Sequence, residues 1–255
     1  MPDIYSEEEL DQLEQKEHSL TEEALLVMFS SITSTRTELE NELRSFYHQY
    51  GKDGIVTYAE ARRWISMKDR RKRLNVLLLF IANQFSDLFN NLQFDFKTML
   101  SNVIDTEAVF FDVDVEYQQL PHEWGGDELN WYERLEKDVL AWSVAVQSNI
   151  KRSILRRNTL SELLNDLEQQ FGSMESVLSG LAITETTANG SIARQEIFKH
   201  LGISKYKFYT IVDERRCEVC GSMHGLIFPI TAYEVGVTAS PMHPRCRCFE
   251  VPIKS

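Results

Sequence analysis

The sequence predicts a mainly α protein, α+β overall, with an elongated helical N-terminal part followed by a small cysteine-containing α+β domain. Three observations predict it. Apolar residues recur every three or four positions through most of the first two thirds. From Tyr206 the texture changes to short β-branched and aromatic runs separated by turns, and every cysteine of the chain lies beyond that change. On this reading residues 1–120 form a helical N-terminal region, 121–180 long linking helices, and 181–255 the small domain.

The helical part starts from Ser19, Leu20, Thr21 and Glu22, which spell a capping box and predict a helix running from there to residue 50. GKDG at 51–54 breaks the chain, and Thr57, Tyr58, Ala59 and Glu60 form a second capping box that opens a short helix. YGKDGIVTYAE resembles the back half of a calcium loop. Gln49 and Gly51 stand at its first two ligand positions and bring no carboxylate, so calcium is set aside. Residues 74–99 carry Leu77, Phe80, Ile81, Phe85, Leu88, Phe89 and Leu92 at helical spacing. The partial alternation of VFFDVDVEYQQL (109–120) predicts an extended segment, and PHEWGGDELN (121–130) a loop. Trp131, Leu135, Val139, Trp142, Val146, Ile150 and Ile154 then mark a long helix or helical pair, with a short amphipathic helix at 161–171. Residues 180–202 are helical in pattern, interrupted near Asn189 and Gly190. In the tail, KFYTIV, LIFPI and the end of SPMHPRCRCFEVPI are candidate strands.

Charge narrows the function classes. Lys and Arg number 27 against 39 Asp and Glu, a formal net charge of −12, so the surface as a whole is not built to coat nucleic acid. The balance is uneven: residues 1–23 are strongly acidic, whereas 61–75 and 150–158 are basic. Arg62, Arg63, Lys68, Arg70, Arg71, Lys72 and Arg73, read as a basic helix beside Trp64, are candidate nucleic-acid contacts. The competing reading is a solvated helix face or a partner for the acidic N-terminus. The N-terminus lacks an apolar core of a secretory signal, and the longest apolar run, VLLLFIA at 76–82, is too short to span a bilayer. A cytoplasmic site of synthesis, no membrane and no small-molecule substrate are expected.

Cys217 and Cys220 are spaced as a metal knuckle; Cys246 and Cys248 are one residue apart, with His243 three before the first. An ion could take all four cysteines, or Cys217, Cys220, His243 and Cys246 with Cys248 in the core. Two disulfides or buried free thiols are the alternatives, and a reducing cytoplasm favours metal over disulfide. If an ion is present, zinc in a structural role is the expected cofactor. His224, in GSMHG, reads as a polar turn residue. A deaminase H-x-E, an H-E-x-x-H helix, a P-loop and a G-x-S-x-G elbow are all absent from the sequence, so no enzyme is expected.

These residues bear a resemblance. WGGDELNWYERL, the Thr184–Glu185 pair in LAITETTANGSIARQEIF, VDERRCEVC, SMHGLIF and SPMHPRCRC follow one another in the order of the phage Mu F-like proteins, the phage head morphogenesis or minor capsid family. The resemblance covers about half the chain, 124–250, and its most specific part joins Asp213, both cysteine pairs and His243–Pro244. The chain departs from the family at Ile183, where arginine usually precedes the Thr–Glu pair; Arg194 is a base that could replace it. The resemblance implies a minor head protein of a virion, made in the host cytoplasm and placed at the portal and capsid interior. It would act in head assembly, DNA packaging or ejection, with portal and other capsid proteins, and the packaged DNA, as partners. It further implies that Thr184, Glu185 and Asp213 are scaffold polar residues and that the cysteines and His243 cross-link the small domain. The cysteine unit runs close to Ser255, and no appended effector domain is expected.

Overall fold

The computed structural model describes residues 5–113, 128–211, 214 and 216–253. In chain order these form α1 (Glu7–Tyr50), α2 (Tyr58–Ala61), α3 (Arg73–Phe110), α4 (Trp131–Arg156), α5 (Leu160–His200), β1 (Lys205–Tyr209), α6 (Glu218–Met223), β2 (Ile227–Pro229), a 3-10 turn (Ile230–Ala232) and β3 (Phe249–Ile253). The fold is mainly α with a small α+β C-terminal part. No helix among the described residues is long and apolar enough to cross a membrane.

The helix starts are set by reciprocal side-chain caps, and one is not where the sequence suggested. At the head of α1 the Ser6 hydroxyl accepts the Glu9 amide at 3.2 Å, while the Glu9 carboxylate accepts the Ser6 amide at 2.8 Å. The helix therefore begins twelve or so residues early and runs unbroken through Ser19. Ser19 is no cap, its hydroxyl lying 3.5 Å from the Glu23 carboxylate inside the helix. Thr21 is buried, donates to the Glu17 carbonyl at 2.9 Å and lies 3.0 Å from the Thr186 hydroxyl. Thr57 does cap the four-residue α2, but Glu60 turns away to pair with Arg63 and Arg73. Asn130 and Glu133 cap α4, and Thr159 and Glu162 cap α5. With that cap in place α5 continues without a break through Asn189 and Gly190 to His200, where an interruption was expected. Val109 and Phe110 of the expected extended segment end α3; its later residues, and most of the 121–130 loop, lie outside the described residues.

The chain divides into two compact units. One comprises Val27–Phe94 and Leu135–Val177. Its core is drawn from four helices: Met28, Ile32, Leu39 and Leu43 of α1; Leu77, Ile81, Phe85 and Leu88 of α3; Val139, Val146 and Ile150 of α4; Leu163, Leu167 and Phe171 of α5. The three-and-four spacing puts each set on one helix face, and Phe85 and Phe171 stack with centroids 6.2 Å apart. Each buried Leu, Ile or Phe contributes about 1.5–3 kcal/mol relative to exposure.

The other unit comprises Met1–Leu26, Asp95–Arg134 and Leu178–Ser255, and it holds the sheet. Strand order is β2-β1-β3, antiparallel throughout, with Tyr206 opposite Phe228 and Pro252, and Phe208 opposite Glu250. Tyr209, Phe249 and Val251 pack with Leu10, whereas Tyr206 packs with Leu13, Phe111, Ile197, Phe198 and Tyr233. Every residue of β3 is buried, Glu250 included.

Glu250 is accommodated by Arg194 of α5. That guanidinium is 2 % exposed and meets three carboxylates: Glu17 of α1 at 3.2 Å, Glu250 at 3.3 Å, and Glu107 of α3, all buried. Tyr233 and Ser191 complete the set, the Tyr233 hydroxyl donating to Glu250 at 2.9 Å and the Ser191 hydroxyl at 3.1 Å. Gly190 makes room. A Cβ there would come within 3.2 Å of an Arg194 nitrogen and 3.4 Å of both Glu107 and Glu17. The helix gives up roughly 0.5–1 kcal/mol to keep glycine at that position.

Removing one member of such a buried set strands the others, so Arg194→Met is expected to cost about 3–5 kcal/mol in urea denaturation. Burial, and then the charge of Glu107, raise the pKa of Glu17 well above the ordinary carboxylate range. The folded protein then keeps a proton that the unfolded chain releases. The stability this contributes is full below the ordinary carboxylate pKa and is lost as pH rises through the folded value. Denaturation midpoints should fall as pH rises above the ordinary carboxylate range, and Glu17→Gln should flatten that decline; an unchanged slope in the variant would refute the assignment.

Candidate metal centre

The CEVC segment folds as the start of α6. Cys217 is the N-cap residue, extended at φ −76° and ψ 163°, and its sulfur accepts the Cys220 amide at 3.3 Å. This places Cys217 and Cys220 on one side of a single turn. HPRCRC makes a matching turn, with the Cys246 amide donating to the His243 carbonyl at 3.1 Å, and runs directly into β3. Arg245 occupies the left-handed region at φ 63°, which lets the turn reverse.

The two turns face each other. His243 Nε2 lies 3.2 Å from Cys217 Sγ and 3.3 Å from Cys220 Sγ, and Cys220 Sγ is 3.8 Å from Cys246 Sγ. His243 Nδ1 is 2.8 Å from the Pro244 carbonyl, which fixes the ring with Nε2 toward the sulfurs. The donor atoms form two triads within 4.8 Å, Cys217–Cys220–His243 and Cys220–Cys246–Cys248, sharing Cys220. All four cysteines are free, and Phe208, Met223, Phe228 and Met242 enclose them on the apolar side.

Sulfurs bound to one tetrahedral ion at about 2.3 Å stand about 3.8 Å apart, whereas a disulfide needs about 2.05 Å. The cluster fits the first spacing. Its protonation fits it as well. The hydrogen bond from Cys248, above all, lowers the Cys246 thiol to a pKa of about 5. The Cys220 amide lowers Cys217. Burial, with the Cys246 charge, raises Cys220 to about 12, and the Cys246 contact with burial raises Cys248. Apolar walls allow only part of the cluster to ionise by itself, and a divalent cation would stabilise the remaining thiolates. The cluster could hold a metal ion.

One face of α5 carries the cysteine turn and the buried charge together. Thr184 accepts the Arg245 amide at 2.9 Å, Thr187 donates to the Cys246 carbonyl at 2.7 Å, and Ser191 and Arg194 hold Glu250. At positions 184, 187, 191 and 194 these side chains recur every three or four residues on a single helical stripe. Glu185, on an adjacent face, is buried against Arg134 at 2.6 Å. Arg134 thus serves Glu185, Arg194 serves the three other carboxylates, and Ile183 needs no replacement. Asp213 lies outside the described residues. His224 is a turn residue: its Nδ1 accepts the Thr210 amide at 3.2 Å.

Sequence reasoning missed Glu17, Glu107 and Glu250 as partners of Arg194, and Arg134 as the partner of Glu185. A usable signal existed for Glu17, which falls in register with Leu10, Leu13, Leu25 and Met28 on the buried stripe of α1. The basic segment does not form the expected helix. α2 ends at Ala61, and Trp64 bridges Lys72 in a short antiparallel hairpin.

Residues 144–251 match the family model described as Phage Mu protein F like protein. The resemblance seen in the sequence is to this family. The Phage Mu F-like segment takes in the rest of α4 from Val144, all of α5, β1, β2, the first three residues of β3 and all five donor residues. No curated protein and no solved structure matches the chain.

Cys220 belongs to both triads and to both four-ligand sets expected from the sequence. Cys220→Ser should abolish the thiolate-to-metal absorption that cobalt(II) gives in a tetrahedral sulfur site, and Cys248→Ser should keep it if His243 is the fourth ligand. Titrating reduced protein with cobalt and recording the visible spectrum checks both; a Cys220→Ser protein that retains the spectrum would contradict the geometry.

Proposed function

We propose that this protein is a structural minor component of a bacteriophage head, acting at the portal and capsid interior during head assembly, DNA packaging or ejection. The observation that carries the reading is the Phage Mu F-like match over 144–251, which spans the whole cysteine cluster and the helix that supports it. Portal and other capsid proteins are the proposed partners, and the chain would be made in the host cytoplasm and remain in the virion. Exposed apolar side chains on the helices, Leu140 at 64 % and Phe94 at 70 % among them, are consistent with surfaces that become covered in an assembly.

The role is read as non-catalytic. Thr184 and Glu185 of the family motif are each engaged inside the fold, one on the cysteine turn and one on Arg134, and act as scaffold residues. The cysteine cluster is read as a structural cross-link held by zinc through four of Cys217, Cys220, His243, Cys246 and Cys248. Zinc, when bound, supplies a fixed tetrahedral link between two turns that the small sheet alone holds weakly.

Two measurements test this reading. Mass spectrometry of purified procapsids and mature particles should find the chain at a few copies per head, co-purifying with the portal; absence from both would end the proposal. Protein made under reducing conditions should contain about one zinc per chain, with thiols that react with a disulfide reagent only after chelation. Metal-free protein with four reactive thiols would remove the zinc assignment and leave the head assignment standing.

A further inference from the structure

The hairpin after α2 has an architecture that the head assignment does not use. Its arms are joined by the Ile65 amide on the Arg71 carbonyl at 2.9 Å and the Arg73 amide on the Arg63 carbonyl at 3.1 Å. Its tip is fixed by the Ser66 hydroxyl, which accepts the Asp69 amide at 2.9 Å, and by the Arg70 amide on the Ser66 carbonyl at 3.1 Å. Seven of the residues from 62 to 73 are Lys or Arg and one is Asp, in a chain whose net charge is −12.

The cations divide into two groups. Those at the base hold the hairpin in place: Arg62 donates to the Tyr58 hydroxyl at 3.3 Å, Arg63 and Arg73 pair with Glu60 at 3.0 and 2.9 Å, Arg73 lies 4.0 Å over the Tyr50 ring, and Lys72 lies over Trp64. Lys68, Arg70 and Arg71 sit at the tip, exposed, around Met67, which is 96 % exposed. A solvated helix face would explain the cations and leave an apolar tip unexplained. A short hairpin with an apolar end and flanking Arg and Lys has the form of a groove arm: the cations neutralise phosphates on either side while the apolar residue wedges against a base step.

We propose that the 62–73 hairpin is a duplex-DNA-binding arm, with Lys68, Arg70 and Arg71 on the phosphate backbone and Met67 as the wedge in the minor groove. The base cations set the arm's orientation and contribute little to contact. Binding is sequence-tolerant, because no side chain at the tip is suited to bidentate recognition of a base in the major groove except the arginines already assigned to phosphate. The proposal stands on the hairpin alone. A chain that fails to bind DNA could still be a head component, and one that binds DNA could be absent from heads.

Fluorescence anisotropy of the full chain with a labelled duplex of about 20 base pairs, over a salt series, tests it. Lys68, Arg70 and Arg71 together should supply about −2.7 to the slope of log affinity against log salt. Raising salt from about 50 to about 200 mM should therefore weaken the native protein roughly 40-fold more than the triple variant Lys68→Gln, Arg70→Gln, Arg71→Gln. Met67→Ser should weaken binding several-fold and leave the slope unchanged. Because these four side chains are exposed, the variants should keep the native helical circular dichroism. Equal slopes for native protein and triple variant would overturn the proposal. So would no binding of the duplex at low salt, or binding to vesicles containing phosphatidylglycerol without binding to the duplex.

Discussion

One guanidinium constrains more of this molecule than any other group. Arg194 binds Glu17, Glu107 and Glu250, which belong to α1, α3 and β3 and are separated from it by as many as 177 positions along the chain. Three carboxylates packed around one cation in an apolar interior are costly to bury, so the set is stable only with every member present. That requirement is stricter than hydrophobic packing. Leu10 or Phe198 could be exchanged for a residue of similar volume with small loss, whereas each carboxylate must be at its own position. Glycine at 190 suits the same demand, since a Cβ there would press to within 3.2 Å of the Arg194 guanidinium and 3.4 Å of Glu107 and Glu17.

The cysteine cluster depends on this assembly through covalent proximity. Cys248 is two residues from Glu250, so the strand residue that Arg194 fixes also fixes the end of the ligand turn. The other end of that turn is held by α5 through Thr184 and Thr187. α5 therefore works as a template. Its buried polar stripe sets the position of HPRCRC, and an ion held by the cluster would cross-link that turn to CEVC.

The same helix marks what could and could not be read from the letters. Helices with apolar residues in register were legible: the periodicity of α3 and α4 predicted them, and β1, β2 and β3 coincide with the runs that changed texture. α5 was read as interrupted at Asn189 and Gly190 because that pair is a turn signal in local sequence, whereas in the fold Asn189 donates back to the Glu185 carbonyl and Gly190 gives room to the Arg194 cluster. The start of α1 was misplaced for a related reason. Two serine-led capping patterns compete, Ser6 to Glu9 and Ser19 to Glu22, and only tertiary contacts of Thr21 decide between them. The donor residues of the candidate site were visible as types and spacings; their meeting depended on the sheet register, which no local pattern contains.

The reach of the family match adds a last step. Residues 144–251 include Arg194, Glu250 and Glu185 but leave out Glu17, Glu107 and Arg134. The matched segment therefore contains buried charges whose partners lie outside it, on α1, on α3 and at the start of α4. Excised by itself it would keep only Glu250 of the three carboxylates described around Arg194 and would lack Arg134 beside Glu185, and breaking such buried sets costs several kcal/mol. The parts of this chain that carry no family signature are thus required by the part that does. In physical terms the F-like segment is one component of a unit that closes only when the N-terminal helices supply two carboxylates and α4 supplies an arginine.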